Sequence, residues 1–185
     1  LRFAMSDEEK KGVSQLQRRY DINFIESCIY YFTGILSTVI KLDKPHQVFI
    51  QEKKKPRTTK DAKLKDGIHI IVPSIVLPNT LLHHIRNEVV KSRDIKALLE
   101  DIGNITSSDE VIDRRIIDTN AWFIYGCGKP EDNGDYYKVS SVYTISINAG
   151  KPVVIPDDDD EEPKSNVAEY VKLFSNIEKE PNCDI

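Results

Sequence analysis

The sequence predicts an α+β fold, a mostly antiparallel sheet with helices packed against it. Three observations lead there. Apolar residues recur at helical spacing over 22–42, and they alternate at strand spacing over 137–147. Helical and strand patterns also mix along the chain without a regular βαβ rhythm. At 185 residues the chain is long enough to bury a core as one domain without a disulfide or metal staple.

In chain order, Ile22, Ile25, Ile29, Phe32, Leu36 and Val39 make an apolar stripe, with Asp21 placed to cap the helix and Pro45 to end it. Gln47 to Gln51 reads as a short buried strand. Lys53 to Lys65, rich in Lys, Thr and Pro, reads as an exposed loop. Gly67 to Val72 is a strand stopped by Pro73. Asn79 or Thr80 is placed to cap a helix that carries Leu81, Leu82, Ile85 and Val89 and runs to Leu99. A loop covers Gly103 to Ser108, and Val111 to Ile117 is too short to classify. Ala121 to Cys127 reads as a buried strand, followed by a Gly- and Pro-containing loop to Gly134. Tyr137 to Ile147 places Val139, Tyr143, Ile145 and Ile147 on one face of a long strand. Pro152 to Pro163 reads as an acidic linker and Asn166 to Ile177 as a short amphipathic helix. The resulting division is a main domain at 1–155, an acidic linker at 156–163 and a C-terminal helical segment at 164–185.

The net charge of −4 is unevenly spread. Residues 1–156 hold 23 Lys/Arg against 20 Asp/Glu, a net of +3, while Asp157 to Glu162 alone carry −6. A mildly basic body permits nucleic-acid binding without requiring it. Cys28, Cys127 and Cys183 are odd in number and widely spaced, which gives no zinc signature and points to a reducing compartment. The most apolar run, Cys28 to Ile40, is too short for a bilayer and is broken by Thr33, Gly34, Ser37 and Thr38.

Four features carry candidate chemistry. Lys65, Gly67 and His69 alternate along one strand, so they share a face while Ile68, Ile70 and Val72 point to the core. A cation and an imidazole around a glycine suit a bound triphosphate; a surface His on an edge strand has the same pattern. Asp113 is an acid in an apolar run, which requires capping, pairing or a metal, and Arg114 and Arg115 stand ready to pair. One carboxylate is a poor Mg²⁺ site. Lys129 comes after two glycines but lies in no P-loop. Lys53, Lys54, Lys55 and Arg57 begin a basic run that can track a nucleic-acid backbone or simply remain solvated. His46, His83 and His84 form no metal-ligand pattern.

The order of these pieces resembles the archaeo-eukaryotic primase superfamily. Lys65–Pro73 (KDGIHIIVP) and Asn120–Pro130 (NAWFIYGCGKP), with Ile112-Asp113 between them and Trp122 in the second stretch, are similar to the primase half of primase-helicases of large nucleocytoplasmic DNA viruses, and more distantly to PrimPol-type enzymes. The likeness spans roughly residues 1–150. It implies an RRM-like catalytic fold in which His69 binds the triphosphate beside Lys65 and Gly67, Asp113 is a metal carboxylate, and Lys129 contacts phosphate. Asn120 is a motif residue without an assigned role. It further implies Mg²⁺ or Mn²⁺, a DNA template held by the basic run at 53–57, an NTP or dNTP substrate, and a helicase further along the chain. A host cytoplasmic replication factory or the nucleus is the expected location, with no membrane partner. The family's first motif, two acids as D-x-D or D-x-E, is missing. Leu1-Arg2-Phe3 resembles the segment directly after that motif, so the acids are expected just ahead of Leu1, and the chain as given is expected to make no primers. The rival classes are a non-catalytic nucleotide- or nucleic-acid-binding module of the same fold, and a structural domain that tethers a partner through the acidic tail.

Overall fold

The structure is a computed structural model that describes residues 1–5, 17–58, 64–118, 125–128, 134–157 and 167–174. Its centre is an antiparallel sheet of six strands: β1 (Arg2–Met5), β2 (His46–Glu52), β3 (Arg57–Thr58), β4 (Leu64–Ile71), β5 (Lys138–Asn148) and β6 (Lys151–Pro156). They run in the order β1-β4-β2-β5-β6, with β3 also paired to β4. Helices α1 (Ile22–Ser37), α2 (Asn79–Lys91) and α3 (Arg93–Asp101) bring their buried residues into the same core as one face of the sheet. Short helical turns α4 (Ser108–Val111) and α5 (Arg115–Asp118) and the helix α6 (Val167–Phe174) complete the described elements. The predicted α+β class with an antiparallel sheet is the observed one.

Strand alternation sorts the two faces. Phe3, Val48, Ile50, Ile68, Tyr143 and Ile145 are buried with Phe24, Ile25, Cys28 and Ile29 of α1 and with Val89, Ile95 and Leu99 of α2 and α3. Aromatic edges lock the corner where β1 meets α1: Phe3 lies 5.4 Å from Tyr20 and 5.6 Å from Phe24, both edge-on. Phe49 points the other way, onto Tyr170 and Phe174 of α6.

Several boundaries differ from those the sequence predicts. Asp21 caps α1 as expected, accepting from Phe24 N–H at 3.0 Å. The helix stops at Ser37, well before Pro45. The Ser37 and Thr38 hydroxyls donate to the Gly34 and Ile35 carbonyls, satisfying last-turn acceptors locally. The single helix expected to Leu99 is two helices. Val89 and Ile95 would point roughly 120° apart on one continuous helix. Extended backbone at Ser92, whose hydroxyl accepts from Ile95 N–H, brings both into the core. The expected cap at Asn79 or Thr80 is not the cap either: Pro78 fills that position without a side-chain bond. Val111–Ile117 resolves into the end of α4 and most of α5.

The stretch expected to be linker from Pro152 begins as strand β6. Ala149 and Gly150 both have positive φ, the geometry of a two-residue hairpin turn whose twist suits paired strands. Pro152 is tolerated because β6 is an edge strand. Asp157, the first acid of the expected linker, accepts from Thr144 and Gln47 side chains. The remaining acids at 158–162 lie outside the described residues, as do 121–124 of the expected strand Ala121 to Cys127. Tyr125 and Gly126 form a turn. The loop expected at 53–65 includes β3 and the start of β4, with 59–63 outside the described residues. Among the described residues no helix is long and apolar enough to cross a membrane.

On the core side, Arg18 ties the ends of β2 and β4 together. Its guanidinium pairs with Asp66 at 3.0 Å and Glu52 at 2.6 Å and donates to the Lys53 carbonyl at 2.7 Å. Tyr20 donates to Glu52 at 2.8 Å. Burial raises the Asp66 carboxyl above its ordinary range even with Arg18 opposing. An Arg18→Met variant leaves that carboxylate buried without its partner, an expected loss of about 3–5 kcal/mol at pH 7. An acid with a raised folded pKa binds more protons folded than unfolded, so stability falls as pH rises from the unfolded carboxylate range. The Arg18→Met deficit in urea denaturation is therefore expected to be larger at pH 7 than at pH 4.

Gly67 is dictated by space. A Cβ there would lie 2.5 Å from the Leu1 carbonyl oxygen, 3.3 Å from Arg2 Cα and 3.4 Å from the Tyr137 hydroxyl. Gly67→Ala is expected to push β1 off β4 and cost about 1–3 kcal/mol, the range for overpacking. An unchanged urea midpoint would show that β1 is not seated this way.

Candidate nucleotide site

The face of β4 opposite the core carries Lys65, Gly67 and His69, as their spacing requires. Cross-strand register adds residues that the sequence alone did not single out. Arg2 pairs with Gly67 and Arg57 with Lys65, so both side chains emerge on this face. Lys53 directly succeeds Glu52, the partner of Ile68. Its ammonium lies 5.6 Å from the centroid of the Tyr137 ring, which itself stacks on His69 at 3.9 Å with 15° between planes. The basic run therefore divides. Lys53 is turned toward His69, whereas Lys54, Lys55 and Arg57 are exposed at the end of the sheet. Lys54 N–H donates to the Asp135 carboxylate, which holds this strand end in place.

His69 is half-buried on the open face, not in the apolar core. Desolvation above all, with Lys53 adding to it, pushes its imidazole down to about 3, so the ring is neutral at pH 7. Gly67 does not leave room for a ligand directly above its backbone, since the Leu1 carbonyl and the Tyr137 hydroxyl take that space. Its contribution to the face is to admit β1 and hence Arg2.

Asp113 is brought to the same edge from the helical side. The loop after α3 borders β1: Ile105 N–H donates to the Ala4 carbonyl and Ala4 N–H to the Asn104 side chain. A capping box between Ser107 and Glu110 starts α4. Arg86, buried on α2, then clamps the far end, donating to the Ile112 and Asp109 carbonyls at 2.8 Å and to the Asp109 carboxylate at 2.9 Å. Fully buried Val111 fixes the depth of the segment. Asp113 emerges beside β1, with Arg2 at 3.9 Å. Arg2, Lys65 and Asp113 line one cleft of about 420 Å³ that Arg86, Arg114 and Arg115 also border.

Both Asp113 oxygens are occupied. Arg115 donates Nε–H to one at 3.1 Å and an Nη–H to the other at 3.2 Å, and its backbone N–H also donates to the first at 3.0 Å. This contact, above all, holds the Asp113 carboxyl below its usual range. The pairing and capping roles left open by the sequence are thus both realised. Among the described residues no group of three or more His, Cys, Asp or Glu could hold a metal ion. Asp113 with these neighbours does not fit a divalent-cation site by itself.

Two of the remaining histidines have structural partners: His46 bonds Ser74 at 2.8 Å and His83 bonds Asp118 at 2.6 Å. Lys129, Asn120 and Trp122 lie outside the described residues. Cys28 is buried and Cys127 exposed. Arg2 was legible from the alternation Arg2-Phe3, since a buried Phe3 turns Arg2 to the opposite face. Tyr137 gave no such signal, because its role depends on a partner two strands away.

Fold and face together define a class, an antiparallel-sheet domain whose open side gathers cations and an imidazole beside an acid. Comparison places it more closely. Residues 5–143 match the family described as the C962R protein N-terminal AEP domain, and the chain belongs to this family of archaeo-eukaryotic primase domains. At family level it is a domain of the primase and polymerase type of nucleotidyl transfer. A search among curated proteins returned no match.

A neutral, half-buried His should leave a thermodynamic trace. Unfolded His takes a proton near its usual 6.5, while folded His69 stays neutral until about 3. Stability contributed by this difference is present above pH 6.5 and is lost as pH falls through that window. His69→Gln is expected to flatten the acid-side stability profile by up to about 1.4 kcal/mol per pH unit, the slope for one proton. The measurement is urea denaturation between pH 4 and 7.

Proposed function

We propose that this domain catalyses template-directed nucleotidyl transfer, joining NTP or dNTP on a DNA template as a primase or polymerase of viral genome replication. The observation that carries the reading is that Arg2, Lys65 and His69 share one sheet face, with Lys53 beside the Tyr137 ring that stacks on His69 and with Asp113 at the edge of the face. A triphosphate needs fixed positive charge and N–H donors that reach its oxygens. Lys65 and Arg2 supply charge from neighbouring strands, and a neutral His69 supplies a donor that costs no desolvated cation. Lys129 would add a further phosphate contact. Exposed Lys54, Lys55 and Arg57 extend the positive surface toward a template backbone.

Mg²⁺ or Mn²⁺ would supply the charge that steadies the transferring phosphoryl group and its leaving pyrophosphate. Asp113 would be one of its ligands, together with the two acids of the family's first motif, as the family resemblance implies. Arg115 would have to release Asp113 first. Its bidentate hold favours a second reading, a nucleotide-binding module of the same fold without turnover. A helicase in the same polypeptide and a viral replication site in the host cytoplasm or nucleus belong to the first reading.

The test is primer synthesis on single-stranded DNA with Mg²⁺ or Mn²⁺ by a protein that also carries the two acids of the family's first motif ahead of Leu1, at folding matched by circular dichroism. Asp113→Ala and His69→Ala are each expected to lower synthesis by at least about a hundredfold. Only His69→Ala should also weaken nucleotide binding in the absence of metal. Full synthesis by Asp113→Ala would exclude its metal role, whereas nucleotide binding without any synthesis by the unsubstituted protein would leave the binding module as the account.

A further inference from the structure

Tyr137 stands just before β5, yet its ring reaches past the end of β2 to the face of β4. Two contacts define its seat. The ring lies flat on the His69 imidazole, and its hydroxyl sits over Gly67, where a Cβ would come within 3.4 Å of it. Lys53, just past the end of the intervening strand β2, places its ammonium near the same ring. An aromatic plate laid on an imidazole at van der Waals distance restricts rotation about the imidazole's side-chain bonds. It also shields one face of the ring from water, in keeping with its neutral state.

We infer that Tyr137 is a positioning residue for His69, its ring fixing the imidazole and seating Lys53 so that both address the same polyphosphate. The inference rests on the proposed nucleotide role of this face and names a residue that deepens it. The stack does the work, so the phenol oxygen is dispensable and the aromatic plate is not. Lys53 then acts with the nucleotide rather than with the template, unlike its exposed neighbours Lys54 and Lys55. A merely structural Tyr137 would affect stability without changing how His69 and a polyphosphate respond to each other.

The experiment compares Tyr137→Phe, Tyr137→Leu and His69→Ala in two readouts. The first is the NMR shift of the His69 ring protons, which a stacked aromatic ring moves upfield. The second is affinity for inorganic tripolyphosphate without metal, by calorimetry. The expected result is that Tyr137→Phe keeps both properties. Tyr137→Leu is expected to lose the upfield shift and to bind tripolyphosphate about five- to tenfold more weakly, while its fold, checked by circular dichroism, persists. Unchanged His69 resonances in Tyr137→Leu would overturn the stack, and moved resonances with unchanged affinity would overturn the positioning role. If Tyr137→Leu fails to fold, Tyr137→Phe still decides, since loss of affinity there would show that the hydroxyl and not the plate matters. His69→Ala separates the two proposals. Tripolyphosphate affinity equal to that of the unsubstituted chain would sink the nucleotide role of His69 and with it the positioning role, whatever the spectra show of the stack.

Discussion

The close approach of β1 to β4 at Gly67 is the constraint on which the rest of the site depends. With no side chain at that position, the Leu1 carbonyl and Arg2 backbone settle against β4. Leu1 and Ile68 then exchange hydrogen bonds in both directions, Leu1 N donating at 2.7 Å and Ile68 N at 3.1 Å. Phe3 drops into the core against Tyr20 and Phe24, which forces Arg2 to the opposite face. The outer edge of β1 receives Asn104 and Ile105, and from there the chain is led through α4 to Asp113. One missing methyl group thus decides where a cation and a carboxylate from distant parts of the chain meet.

Two arginines, Arg86 buried and Arg18 half-buried, support this arrangement. Arg18 binds Asp66, Glu52 and the Lys53 carbonyl beneath the sheet, fixing the ends of β2 and β4 under Lys53. Arg86 binds the Asp109 carbonyl within α4 and the Ile112 carbonyl just after it. A guanidinium is suited to both tasks because its fork of donors satisfies several acceptors at once and its charge is never lost by titration. Such contacts are costly to break, because the partners left behind are desolvated. They make the frame stiff while the cations at its surface stay at the solvent boundary, where an anionic ligand can exchange with water.

The state of Asp113 bears directly on the chemistry. Held by Arg115 through two side-chain bonds and by a backbone N–H, its carboxylate is already fully engaged. The guanidinium that engages it is only two residues away and keeps its charge at any accessible pH.

The properties that the sequence determined by itself were those that depend on local spacing. Alternation placed Lys65, Gly67 and His69 on one face and Ile68 in the core, the stripe from Ile22 located α1, and Asp21 capped it. The pattern of KDGIHIIVP and its companion stretch also led to the primase family. Local rules failed where a distant partner sets the outcome. The α2–α3 helix breaks at Ser92 because Val89 and Ile95 must face the same core, and β6 exists because β5 offers an edge for Val153 and Val154 to pair with. The meaning of Gly67 was only half readable: its lack of a side chain marked a close approach, but the tertiary structure alone decided that the approaching group is the chain's own β1. Tyr137 stacks on His69 and Arg115 grips Asp113 for reasons of the same kind. Side-chain contacts of this sort arise from register and packing, which sequence spacing along a single strand does not encode.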